Sequence, residues 1–414
     1  MKLSCIIPTH NRSASLKRTL ESLLSIIHEA DAEIVVVNNN CTDDTPDVVR
    51  LFGTKVRHVF EERTAFTRAR ARGRQEAKGD ILLYLDDDVI VQPGSLREVC
   101  NVFDAFPNCG VLAGRIEPLF EVEPPDWVKA CQLTFNGLSI YSPSNMANLG
   151  TGFQEVGAAI GPMMAIRSSV YDQVGGFPPD TIGVETNISG KTFRKLYVGP
   201  GDYGLCHKVR TMGGKVYYSP KASCFHVIPP FRCKISFWRS RMIGEGQHAA
   251  ITNRMFFKKS KISLILIRSV NQKRFIDKSN ILREYYKKQH GEYKQFAFSE
   301  GMHPAEIYFQ YAKSYLEMDS LLEKYPDLGP YLWDIASQGV ADANFSGVIN
   351  RLPAEFKDII LDENYYDNIA YSADRLPPSV LAIKGKPRDD KIVQLTLLLF
   401  GMLSKTNKFI RARL

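Results

Sequence analysis

Short apolar runs broken at regular intervals by polar loops dominate the first ninety positions. Leu3-Ser4-Cys5-Ile6-Ile7 reads as a buried strand running into the polar segment Pro8-Thr9-His10-Asn11-Arg12. Leu16, Leu20, Leu23 and Leu24 then share one helical face, with Ser13 or Ser15 as the expected N-cap. A second strand from Glu33 to Val37 enters Asn38-Asn39-Asn40-Cys41-Thr42-Asp43-Asp44-Thr45, and a third covers Lys55 to Phe60. Ala65 to Ala77 is helical in pattern, and Ile81-Leu82-Leu83-Tyr84-Leu85 forms a strand that stops at Asp86-Asp87-Asp88. Strand and helix alternating at this spacing predict a parallel sheet with crossover helices. In such sheets ligands bind beyond the carboxyl ends of the strands, which here carry Thr9, Asn39 and Asp86.

Three carboxylates in a row after a buried strand repel one another unless they share a cation, so the triplet points to a divalent metal site. Downstream, Ala222 to Phe225 is a strand ending at His226, and Gly201-Asp202 precedes a helix containing Leu205, Cys206 and Val209. An Asp in that place can act as a helix N-cap. Pro229 to Gln247 mixes aromatics with cations and reads as an amphipathic helix or a flap over the site. The pattern divides the chain into a first unit over residues 1–257, a basic linker over 258–290 opened by Lys258-Lys259-Lys261, and a mainly helical region over 291–414. Ala305 to Lys324 is the clearest amphipathic segment there, and Pro326, Pro330 and Pro353 act as breaks. The last helix, Ile392 to Leu403, is apolar and followed by Lys405, Lys408, Arg411 and Arg413. It suits packing on the first unit or peripheral contact with an anionic membrane.

Composition bounds these readings. A chain of 414 residues with 44% hydrophobic content buries at least one large core and suits two domains. Its eight cysteines show no CxxC pairing, which favours a reducing compartment, and Cys5 and Cys100 read as core residues. Met1-Lys2 leads directly into strand sequence and no apolar window reaches the ~18 residues of a membrane span. The expected location is cytoplasmic, peripheral on the cytoplasmic membrane face if the last helix attaches. Within a net charge of +8, Arg63, Arg68, Arg70, Arg72, Arg74 and Lys78 cluster before the acidic strand. Helical geometry lets only two or three of them face one ligand, so Arg68, Arg72 and Arg74 read as a solvated face. Nucleic-acid binding explains this cluster poorly, because acidic residues are interleaved and no known basic-aromatic module is visible.

Together the segments Ile7-Pro8-Thr9-His10-Asn11-Arg12, Val37 to Thr45, Ala69-Arg70 and Gly73, Leu85-Asp86-Asp87-Asp88-Val89 and Pro93 resemble the family 2 glycosyltransferases. The likeness continues through Gly161 to Arg167, Val174-Gly175-Gly176-Phe177, Gly201-Asp202, Gly213-Gly214 and Val216 to His226. It implies an α/β GT-A fold, Rossmann-like and mainly parallel with flanking helices, followed by a mainly helical extension. It also implies an inverting hexosyl- or N-acetylhexosaminyltransferase that moves sugar from a nucleotide-diphosphate donor, UDP-linked by expectation. The implied acceptor is a hydroxyl on a saccharide, lipid-linked glycan or small molecule, in polysaccharide or glycoconjugate synthesis.

By the same resemblance Asp202 is the catalytic base, with Glu185 as runner-up, and Pro8, Thr9, Asn11, Asn39, Arg70, Asp86 and Asp87 belong to the nucleotide-sugar set. Asp87 points the opposite way from its neighbours on an extended backbone, so a structural role is the alternative for it. Asp88 and His226 would hold Mg²⁺ or Mn²⁺. Two departures stand out: Asn38 and Asn39 replace the acid usual at one of these positions, and Gly201 replaces the Glu of many relatives. The alternative function is a sugar-nucleotide-binding or scaffold protein without catalysis. A nucleotidyltransferase fits less well, for want of a glycine-rich, cationic phosphate loop near the start.

Overall fold

The computed structural model describes residues 1–144, 149–182, 186–188, 191–193, 196–290, 304–338 and 351. In chain order its main elements are β1 (Leu3–Thr9), α1 (Ser13–Ile26), β2 (Ala32–Asn38), α2 (Thr45–Arg50), β3 (Arg57–Phe60), α3 (Phe66–Glu76), β4 (Ile81–Leu85) and β5 (Val89–Val91). There follow α4 (Ser95–Ala105), β6 (Cys109–Phe120), α5 (Asp126–Phe135), β7 (Gln154–Glu155), β8 (Met163–Arg167), α6 (Ser168–Gln173), α7 (Gly201–Thr211) and β9 (Lys215–Ile228). The helices α8 (Ile235–Met255), α9 (Lys261–His290), α10 (Pro304–Lys324) and α11 (Leu328–Gln338) come last.

One nine-stranded sheet runs β3-β2-β1-β4-β8-β6-β9-β5, with β7 paired on β9. β1 lies parallel to both β2 and β4, and β2 is parallel to β3, as the alternating pattern requires. β8 is antiparallel between β4 and β6, which makes the sheet mixed, and β9 returns to run parallel with β6. This is the mixed, mainly parallel sheet with flanking helices that the resemblance implies. All five residues of β4 are buried, as expected of an interior strand covered on both faces. Cys5 is fully buried in the main core and Cys100 packs partly buried against it.

Two local details differ from the sequence-based expectation. Neither Ser13 nor Ser15 caps α1: the cap position is Arg12, with no side-chain cap bond. The loop after β2 does that work instead, because the Ser13 N–H donates to Asp43 Oδ2 at 3.0 Å and its hydroxyl donates to Asp44 Oδ1 at 2.5 Å. The strand expected over Ala222 to Phe225 is the end of the much longer β9, whose pairing with β6 shifts register between Ser219 and Ser223.

The C-terminal helices have a core of their own. Ala250 and Ile251 of α8 pack with Tyr315, Leu316, Leu321 and Leu322 of α10 and with Leu332 of α11. Gly246 lets the two helices approach, since a Cβ there would lie 2.4 Å from the Tyr311 carbonyl oxygen. Within the segment expected as a basic linker, Lys261–His290 is helix. The apolar segment Ile392 to Leu403 lies outside the described residues, as does Glu185.

Candidate active site

The acidic triplet sits where the sheet changes direction. β4 ends at Leu85, the chain turns through Asp86-Asp87-Asp88, and β5 pairs antiparallel with β9 so that Val89 faces His226. The Val227 N–H donates to the Asp88 carbonyl at 2.9 Å, which fixes this register. A residue 138 positions away by sequence therefore lands beside the acids: His226 Nε2 is 3.2 Å from Asp88 Oδ1.

Each acid has different partners. Asp87 Oδ2 accepts the Thr9 hydroxyl at 2.7 Å, and Arg12 reaches Asp87 Oδ1 at 3.2 Å and Asp88 Oδ2 at 2.9 Å. Arg232, in the short turn before α8, donates to Asp88 Oδ2 at 3.1 Å and to His226 Nε2 at 2.9 Å. Burial would raise the Asp88 carboxyl, but His226, Arg232 and Arg12 outweigh it and hold the group below the usual carboxylate range. Asp86 behaves oppositely: burial, with Asp88 beside it, pushes it up to about 6 against the pull of Arg70 and His226. Its side chain is also the most open of the three, 25% exposed against 7% for each of the others. Asp86 is thus the acid that a molecule in the cleft meets first.

Arg70, from α3, lies beneath this surface. Its side chain is buried, with the guanidinium carbon 3.9 Å from the centre of the Phe66 ring and 4.5 Å from that of Phe177. It pairs with Asp202 through Nη1 and approaches Asp86 Oδ1 at 3.9 Å through Nη2. The Gly161 N–H donates to the other Asp202 oxygen at 2.7 Å. Asp202 stands in the first turn of α7 but makes no cap bond to that helix, whose cap position is Pro200. The capping alternative is therefore not realised, and the carboxylate meets Arg70, whose other nitrogen approaches Asp86. Gly161 is part of this packing, since a Cβ there would fall 2.5 Å from Arg70 Nη2 and 3.0 Å from Asp202 Oδ2.

The loops after β1 and β2 form the neighbouring wall. Asn39 directs its amide at backbone: Nδ2 donates to the carbonyls of Glu61 and Arg63 at 3.2 and 2.8 Å, and Oδ1 accepts the Ala65 N–H at 3.1 Å. Asn11, in a left-handed conformation at φ 52°, accepts the Thr42 N–H at 2.7 Å. Pro8 is buried in β1 opposite Val37. Asn39 and Asn11 thus shape loops, while Thr9 steadies Asp87. Arg68, Arg72 and Arg74 pair with Glu61, Glu76 and Asp172, in keeping with a charged face outside the cleft.

Sequence reasoning missed Arg12, Arg232 and Gly161 as members of the site. Arg12 and Gly161 stand inside segments that carry the family resemblance, and Arg232 lies in the aromatic-cationic stretch. Nothing local in the sequence says that these three reach the acids. Among the described residues no three or more His, Cys, Asp and Glu side chains are grouped to hold a metal ion.

Residues 4–175 match the model of the glycosyl transferase family 2. They form a family 2 glycosyltransferase domain. The chain is accordingly a glycosyltransferase. Among its relatives, glucosyl-dolichyl phosphate glucuronosyltransferase of Haloferax volcanii is 20% identical over 62% of this chain and 79% of that protein. Validoxylamine A glucosyltransferase of Streptomyces hygroscopicus subsp. limoneus is 38% identical over 23% of this chain and 22% of its own. The chain therefore spans most of the first relative and under a quarter of the second. Among solved structures it is similar to the mannosyltransferase PcManGT of Pyrobaculum calidifontis in complex with GDP-Man and Mn²⁺, with a TM-score of 0.42, 17% identity, and coverage of 88% and 84%. For GalNAc-T7 with UDP, GalNAc and Mn²⁺ the TM-score is 0.40 at 18% identity, covering 55% of this chain and 44% of that one.

Proposed function

We propose that this enzyme inverts the anomeric centre while moving a sugar from a UDP-linked donor to an acceptor hydroxyl, with Asp202 as the base. The observation that carries the reading is the convergence of Asp202, Arg70 and Asp86 from three separate elements on one cleft wall. An inverting displacement needs the base on the side of the sugar away from the leaving diphosphate, and an acidic pole where that diphosphate is held. Asp202 at one end of the Arg70 bridge and the acidic triplet at the other suit these two roles. Arg70 acts as a positioning residue: clamped between two rings, it fixes the carboxylate that takes the proton.

A divalent ion fits the residues present. Asp86 Oδ1 is buried without a hydrogen-bond partner and Asp88 Oδ1 has only His226 Nε2 near it, at 3.2 Å; hard oxygen donors of this kind suit Mg²⁺ or Mn²⁺. Asp88 and His226 would hold it, with donor phosphates and water completing the shell, because Mg²⁺ is commonly bound by one or two carboxylates together with substrate oxygens. Bound there, it would supply screening of the charge that builds on the departing diphosphate. Arg12 and Arg232, which flank Asp88, add positive charge at the same end.

The acceptor class we favour is a lipid-linked glycan, on the named activity of the Haloferax relative, 79% of which this chain covers. The catalytically silent alternative loses ground to the base position, which a binding protein does not need. Release of nucleoside diphosphate from a panel of UDP-sugars, with and without metal, tests the proposal. No release with any UDP donor would reject the donor assignment.

A further inference from the structure

The opening turns of α9 are apolar on both sides, and among the described residues only one side has a partner. Ile267, Arg268 and Asn271 face α10, where Ile267 joins the helical core, Arg268 pairs with Glu323 at 2.5 Å and Asn271 is buried. At 100° per residue Ile262, Leu266 and Lys273 fall on the opposite face, with Ile265 and Val270 beside them. Ile262 is 72% exposed, Ile265 54% and Val270 38%. A helix flanking a folded unit ordinarily turns a polar face outward, so an outward isoleucine pair needs a partner.

The chemistry of that partner follows from the charge around the face. Lys258, Lys259 and Lys261 are all exposed at its start, and Lys273 is exposed further along. Two copies meeting through this face by a two-fold axis would set each lysine cluster near its twin, a like-charge contact. An anionic lipid surface satisfies both features, since it accepts shallow apolar side chains beside cations. The face is also continuous with the site: the Lys259 ammonium lies 5.3 Å from the Phe257 ring centre, and Phe257 is 6.3 Å from the half-exposed ring of Tyr203, next in sequence to Asp202. We infer that the start of α9 docks on an anionic membrane surface and presents Asp202 to acceptors held there. The last clause rests on the transferase reading; the docking itself does not.

Co-sedimentation of the full chain with vesicles, in the absence of any donor, tests the docking. The chain is expected to bind phosphatidylglycerol–phosphatidylcholine vesicles and not pure phosphatidylcholine, with binding lost as salt rises. Lys259→Gln with Lys261→Gln should weaken binding by about tenfold or more. Ile262→Ser with Ile265→Ser should weaken it at low salt as well. These four positions are exposed, so both variants should keep their circular dichroism and their nucleoside diphosphate release in solution. That second readout belongs to the transferase reading and can fail on its own. Binding equal in wild type and both variants would overturn the inference, as would no binding to anionic vesicles. A wild-type dimer that the isoleucine variant disperses would overturn it too, by assigning the face to a second copy.

Discussion

Arg70 carries more of the site than any other side chain. It is a buried cation whose compensation comes from Asp202 and Asp86, and removing one member of such a buried pair typically costs about 3–5 kcal/mol. Arg70→Met should therefore lower the urea midpoint strongly and reduce kcat, while Arg70→Lys, lacking the flat face that stacks between Phe66 and Phe177, should recover only part of either. If Arg70→Met left kcat intact, Arg70 would have no role in placing the base. Gly161→Ala is expected to act on the same contact from the other side, costing about 1–3 kcal/mol because a methyl would overlap the guanidinium and the Asp202 carboxylate. Asp202→Asn presents an NH₂ to one of two donors, Arg70 or the Gly161 N–H. It should thus slow transfer at least about a hundredfold and also lower stability modestly, with donor affinity nearly kept. Normal transfer at saturating donor would remove Asp202 as the base.

At the scale of elements, the legible part of the fold was the part built from local pattern. The alternation of Leu3–Ile7, Leu16–Leu24, Glu33–Val37 and Ile81–Leu85 gave the parallel half of the sheet, because each strand is mainly apolar and the helix between the first two has one apolar face. β8 and the long β9 were not legible as an antiparallel insertion and a 14-residue strand, since pairing partners lie far apart in sequence and β9 is interrupted by Ser219-Pro220-Lys221. The candidate residues came from motifs, and motifs do not report hydrogen bonding. Asn39 is polar at a strand end, as a base reader would be, yet its amide organises the Glu61–Ala65 loop. Arg12 and Arg232 escaped notice because an arginine after a strand and another before a helix have no local signature, and only the sheet register brings both to Asp88. Replacing Arg232 with Gln should raise the donor KM more than it lowers kcat; an unchanged KM would exclude its contribution to the diphosphate end.

Over the whole molecule, the sheet carries the candidate site and the C-terminal helices have a core of their own. Their charged centre gives an acid-stability prediction. Burial alone would raise Glu245, but Arg241 and His248 outweigh it and hold the group down to about 2. A folded-state pKa below the unfolded value, near 4.3, means that Glu245 stabilises the fold above that value and loses the contribution as pH falls toward 2. Glu245→Gln should therefore flatten the decline of the urea midpoint between about pH 5 and 2; a decline as steep as in wild type would place the acid sensitivity elsewhere. Among the described residues no helix is long and apolar enough to cross a membrane. The central claim is that one cleft joins a metal-assisted diphosphate end to a base fixed by Arg70, and one measurement bears on it most directly. UDP release from a UDP-sugar panel is followed with Mn²⁺, with Mg²⁺ and with chelator, for wild type, Asp88→Asn and Asp202→Asn, each first shown to be folded. The account predicts metal-dependent release by wild type, lost on chelation and reduced at least about a hundredfold in both variants. Release that is indifferent to chelator, or that persists undiminished in the folded variants, would contradict it.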